Sequence, residues 1–220
     1  MDLFKSLNSL LPTYETTLPF SKQQVTFTPF RVKDAKALAL IIQEDNKKLA
    51  LKNMVELIQN CSKGVVIDEL CLADAEYLFL QIRSKSVDEI LNLIFNDEKV
   101  QVNIADIKPR NAIFSETISI SGKISIVLET PVIKDLLRLE SFDRDEIGKA
   151  CIQKVIDGNE IYRTNKFMTH EIKQLVENLP FSVMPKIDSF LKKQPELYTN
   201  LTVSNGTKEV SGLLNFFTYR

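Results

Sequence analysis

Tryptophan is absent from the 220 residues, and histidine occurs once, at His170. A single imidazole excludes a two-histidine metal site and leaves one candidate general base of that kind. Glycine is scarce as well: the six are scattered singly, so no phosphate-cradling loop, dinucleotide fingerprint or nucleophile elbow can be drawn from them. Cys61, Cys71 and Cys151 are odd in number, far apart and beside apolar neighbours, which predicts free buried thiols. Neither sign of charge prevails, with 28 Lys and Arg against 29 Asp and Glu, and the balance argues against nucleic acid as a partner. No apolar run reaches the roughly 18 residues of a membrane span, and the start MDLFKSLNSLLP is too weakly apolar for a signal peptide. A cytoplasmic protein with no membrane partner is expected.

What the chain does contain is the material of an ordinary core. The apolar fraction is 44%, and 220 residues suffice for one or two domains. The carboxylate pairs Asp68-Glu69, Asp97-Glu98 and Asp145-Glu146 are adjacent in sequence, so their side chains diverge and read as solvated faces. His170, beside Glu171 in the first turn of an expected helix, reads as a solvated residue. A degenerate enzyme using it is the rival from another functional class. No catalytic residue, cofactor or metal site is assigned.

Tyr14–Leu18 and Val25–Thr28 alternate around Ser21-Lys22-Gln23 and predict an amino-terminal hairpin. Val32–Glu44 and Lys47–Cys61 carry apolar residues at helical spacing and predict a helical hairpin turning at Asp45-Asn46, with Gly64 as a left-handed cap. Asp74–Ser84 predicts a buried third helix, after which Val87–Ile94 either continues helically past a break near Ser86 or begins a new turn capped by Ser86 or Asp88. The rhythm then shortens to two: Val100, Val102 and Ile104, then Thr117–Ile120 and Ile124–Leu128 about Ser121-Gly122, predict a small antiparallel sheet. Helices are expected over Asp143–Val155, His170–Leu179 with Thr169 as N-cap, and Met184–Lys193. A last hairpin spans Leu197–Val210 about Ser204-Asn205-Gly206. The fold class so read is α+β, mainly helical, with an amino-terminal β-hairpin, a small sheet insert and a carboxy-terminal hairpin. The corresponding division is residues 1–97, 98–130 and 131–220.

The order LP…V-x-F-x-PF-x-VK-x-x-K over Leu18–Lys36, followed by D-x-EYLFL-x-(I/L)R-x-KSV-x-E at Asp74–Glu89, resembles the baseplate hub proteins of T-even-type contractile-tail phages, the gene-26 product group. The segment from Cys151 to Leu197 and the GLLNFF end extend the likeness. The resemblance implies a non-enzymatic tail morphogenesis protein, a minor hub subunit or an assembly chaperone. It would act in the infected host's cytoplasm or in the virion baseplate, with other baseplate hub proteins as partners. Paired cysteines that relatives carry in zinc-knuckle turns are missing here, where Asn103, Asp106, Ser204 and Asn205 stand.

Arg83, Lys85 and Ser86 form the densest basic point of the first half. They read equally as helix-end cations meeting the dipole and as a partner-contact corner within the family-marking segment. A DNA-associated adaptor using Arg83 and Lys85 is the runner-up, although Asp88-Glu89 neutralises them at once. The terminal run with Phe216 and Phe217, with little chain after it, either docks on its own domain, the favoured reading, or meets a partner, which makes these two the other candidate partner-binding residues.

Overall fold

The computed structural model describes residues 10–34, 46–95 and 98–212. Walking the chain, β1 (Tyr14–Thr17) and β2 (Gln24–Phe27) precede helix α1 (Lys47–Cys61), which runs straight into β3 (Ser62–Lys63). Helix α2 (Leu72–Ser86) is followed by β4 (Ile90–Phe95), β5 (Glu98–Asn103) and β6 (Lys108–Arg110). Next come β7 (Ser115–Ser119), β8 (Ile124–Glu129), α3 (Ile133–Arg138), α4 (Arg144–Cys151), β9 (Ile152–Asp157) and β10 (Glu160–Arg163). Helices α5 (Thr169–Glu177) and α6 (Met184–Leu191) lead to the closing strands β11 (Glu196–Val203) and β12 (Gly206–Ser211).

The chain forms two compact units, Met1–Arg110 with Glu196–Arg220, and Asn111–Pro195. In the first, three antiparallel sheets of order β1-β2-β3, β4-β5 and β12-β11-β6 accompany α1 and α2. Asn46 starts α1 by accepting the Lys48 and Leu49 amides at 3.0 and 3.2 Å, satisfying two of the orphan donors of the first turn. The apolar side chains Leu51, Met54 and Ile58 of α1 are fully buried, as are Leu78, Phe79 and Ile82 of α2. The second unit is an antiparallel sheet of order β10-β9-β8-β7. Its core joins Ile118, Ile126, Leu128 and Ile152 from the strands to Cys151 of α4 and to Val183, Ile187 and Phe190 at the end.

The expectation of a mainly helical chain is corrected. Among the described residues 40% are helical, including the short 3-10 turns, and 32% are in strands, distributed over four sheets. Two expected helices explain most of the difference. Val87–Ile94 does not continue α2: the helix stops at Ser86, and Asp88 Oδ1 accepts the Ile90 amide at 3.0 Å as β4 begins. The expected helix Asp143–Val155 ends at Cys151 and becomes β9. A bulge is responsible for the misleading rhythm. Val127 pairs with Lys154 but Leu128 pairs with Ile152, so Gln153 is skipped and Ile152 and Val155 share a face at a spacing of three. That spacing imitates a helix.

Smaller corrections follow the same lines. Helix α5 is capped at Met168, not Thr169, with Glu171 Oε2 accepting the Met168 amide at 2.7 Å. Gly64 has φ +77° but follows β3, not the helix itself. Of the expected helix Val32–Glu44, a 3-10 turn at Val32–Asp34 is seen and the rest lies outside the described residues. The amino-terminal hairpin, α1, α2, the β7-β8 hairpin and the β11-β12 hairpin stand where the periodicities predict.

Candidate functional site

Helix α2 carries the second family-like segment, and both of its ends are tied to the first. At its start, Asp74 is wholly buried. Its carboxylate accepts the Phe20 amide at 2.9 Å and the Ser21 amide at 2.8 Å, from the loop between β1 and β2. A carboxylate withdrawn from water is stabilised by such paired donors, and the donors gain an acceptor in a loop with no strand partner of its own. Pro19, which offers no amide, stands just before them.

At the other end, Ser86 Oγ accepts the Phe30 amide at 2.7 Å while donating to the Ile82 carbonyl at 2.5 Å. Pro29 precedes Phe30 and directs the chain out of β2. Phe30 then packs against Phe79 of the same helix, ring centroids 5.9 Å apart. Thus the LPFS and TPF turns, on either side of β2, are fastened to α2 through Asp74 and Ser86, residues three full turns apart on one helix.

The sequence-predicted partner residues divide at this corner. Arg83 donates through Nη1 to the Asp88 carbonyl at 2.9 Å and the Ile90 carbonyl at 3.5 Å, tying the helix end to the start of β4. Burial holds its guanidinium below the usual arginine range, partly offset by the Asp88 charge. Ser86 is consumed by the clamp just described. Lys85 alone of the three is exposed; it pairs with Glu89 at 2.9 Å and lies 6.0 Å from the Tyr14 ring centroid. Its ammonium is held above the ordinary lysine range by the hydrogen bond to Glu89 and then by the carboxylate charge. Two residues further on, Val87 is 63% exposed, an apolar side chain between Ser86 and Asp88. Phe216 and Phe217 lie outside the described residues.

Sequence reasoning missed Asp74 as a keystone, although an acidic residue in the first turn of a helix rich in apolar side chains was visible. His170 is exposed on the first turn of α5, in the second unit. It borders an open groove of about 860 Å³ with Arg138, Lys149, Gln153, Asn165 and Lys173, a lining of mixed charge. The rim cation Lys149 is engaged with Glu146 at 2.5 Å. No cluster of three His, Cys, Asp or Glu that could hold a metal exists among the described residues. Two of the turn residues considered for a metal have structural work: Asn103 Oδ1 accepts the Ala105 amide at 2.9 Å, and Glu98 accepts the Ser204 amide at 2.9 Å.

A family model described as T4 bacteriophage base plate protein matches residues 11–218. The chain belongs to that family. The match runs through both compact units, so the base plate family likeness covers the α2 corner and the second unit alike. No curated protein matches the chain, and no solved structure does. In this base plate family member, the polar ties of α2 join the two sequence segments: Asp74 holds one turn against the start of the helix and Ser86 holds the other against its end. Among its described residues no helix is long and apolar enough to cross a membrane.

Proposed function

We propose that this base plate protein acts in assembly of the baseplate hub, as a minor hub subunit or assembly chaperone, and works by contact with other hub proteins without catalysis. The observation that carries this reading is the family match over residues 11–218, which spans both compact units. The α2 corner supports a binding role. Arg83 and Ser86 spend their donors on shaping it, and Lys85 with Val87 is left facing outward. We place the partner contact on Lys85 and Val87, with Arg83 and Ser86 as the residues that fix their presentation, and a second contact on Phe216 and Phe217.

A DNA-tracking role would need several more cations on this face, and Lys85 is already matched by Glu89. The groove beside His170 is lined by six charged side chains of both signs and ten neutral residues, a mixture that singles out no partner for the imidazole. Deletion of the gene tests the proposal. Heads and fibres should form while baseplates and contractile tails do not, and normal tails in the deletion would overturn it.

A further inference from the structure

The chain leaves the first unit after Arg110 and re-enters it at Glu196, and these two residues are register partners in β6 and β11. The two residues that bound the intervening stretch 111–195 are therefore paired within one sheet of the first unit, and this short β6-β11 pairing is the neck. Its backbone pairing is meagre. Strand β6 has three residues, lies at the sheet edge, and contains Pro109, which has no amide to donate. Asn111, the first residue beyond, is left-handed at φ +60°, a conformation asparagine tolerates better than most residues.

Side chains supply what the ladder lacks. Arg110 Nε donates to Glu196 Oε1 at 2.6 Å and its Nη1 to Glu209 Oε1 at 2.6 Å, while the guanidinium carbon lies 4.7 Å from the Tyr198 ring centroid. One planar cation thus spans all three strands of the sheet β12-β11-β6, in contacts that suit a guanidinium fork and not an ammonium. The ion pairs are only partly shielded, with side chains of 33%, 28% and 46% exposure for Arg110, Glu196 and Glu209.

We propose that Arg110 is a latch on this neck: it holds closed the paired junction from which residues 111–195 are carried as an insertion, and the neck opens locally while both cores stay folded. Hydrogen exchange on the full-length protein tests this. In Arg110→Gln, amides of residues 108–112 and 196–200 should exchange about tenfold faster or more, with those of Leu78–Ile82 and Ile126–Leu128 unchanged. Raising salt to about 1 M should loosen the same amides in the unmodified protein, since partly exposed pairs are screened. The milder Glu209→Gln, which removes one of the two ion pairs, should give an intermediate rate at the neck. Unchanged neck exchange in both variants and at high salt would overturn the latch, as would acceleration spread equally over both cores.

Discussion

The two units hold themselves together by different means. In the first, a buried carboxylate and a serine hydroxyl fasten loop amides to the ends of a central helix, so polar contacts between residues more than fifty positions apart fix where the amino-terminal turns lie. In the second, the hydrophobic cluster is apolar apart from the Cys151 thiol, the buried Thr164 hydroxyl donates to the Ile152 carbonyl at 2.6 Å, and charged groups form pairs such as Arg144 with Asp188 and Lys154 with Glu129. Apolar packing tolerates small adjustments of shape, whereas a buried carboxylate accepts few alternatives because an unpaired arrangement is so costly. The first unit is accordingly built for a defined corner, the second for bulk.

The largest effect that distinguishes them is expected in the second unit's core. Phe190 is fully buried, and Phe190→Ala should cost about 3–5 kcal/mol through lost transfer energy and the cavity left behind. Asp74→Ala in the first unit should cost about 2–4 kcal/mol, since it strands the Phe20 and Ser21 amides without removing much apolar surface. Denaturant unfolding followed by hydrogen exchange separates the two. Loss of protection should centre on Ile118, Ile126 and Leu128 in the first case and on Leu18 and β2 in the second. If Asp74→Ala were neutral, the polar clamp would be incidental and the contrast between the units would fail. Ser86→Ala is the next step down, at about 1–2 kcal/mol, because it frees one amide and removes one helix-end bond.

Much of this contrast was legible beforehand only where local rules agree with the fold. The hairpins at Tyr14–Phe27, Ser115–Glu129 and Glu196–Ser211 alternate cleanly and are bounded by turn residues. Helix α2 is apolar on most of its circumference and could be seen at once. What escaped were elements whose signal depends on a partner. Strand β6 is three residues with a proline and exists because β11 is there; β10 is exposed at all four positions and shows no alternation. The bulge opposite Gln153 disguised β9 as helix. Of the site, the cations Arg83 and Lys85 and the hydroxyl of Ser86 were visible as a cluster, but not that two of the three would turn inward. That outcome depends on the carbonyls of Asp88 and Ile90 and on the Phe30 amide, none of which has a sequence signature.

The thiols extend the comparison to pH. Burial pushes Cys61 to about 11 and both Cys71 and Cys151 to about 12, with the Asp34 charge adding to the first and Asp74 to the second. A thiol whose folded value lies above its ordinary 9.0 binds its proton more tightly when folded. Its contribution is therefore fully present below pH 9.0 and is lost as pH climbs towards about 12. Melting temperature should fall over that window, and less steeply in Cys71→Ala than in the unmodified chain. Equal slopes would show that the thiol ionises freely in the folded state. Below that window all three thiols should resist a thiol-directed reagent until the protein is unfolded.

The smallest expected effect on stability is also the most informative about function. Lys85 is exposed and, among the described residues, its ion pair is with Glu89, four positions on and beyond the end of α2, so Lys85→Glu should leave the melting temperature where it is. Arg83→Ala, by contrast, removes the donor to two carbonyls and should lower stability by about 1 kcal/mol. A pull-down on hub proteins then reads the two roles apart. With Lys85→Glu the fold is intact and any loss of association comes from the surface itself; with Arg83→Ala the loss should follow the loosening of the helix end, and should be recovered in part by lowering the temperature. Undiminished association of a folded Lys85→Glu, Val87→Asp variant would remove this corner from the interface and leave the contact to the Phe216-Phe217 end.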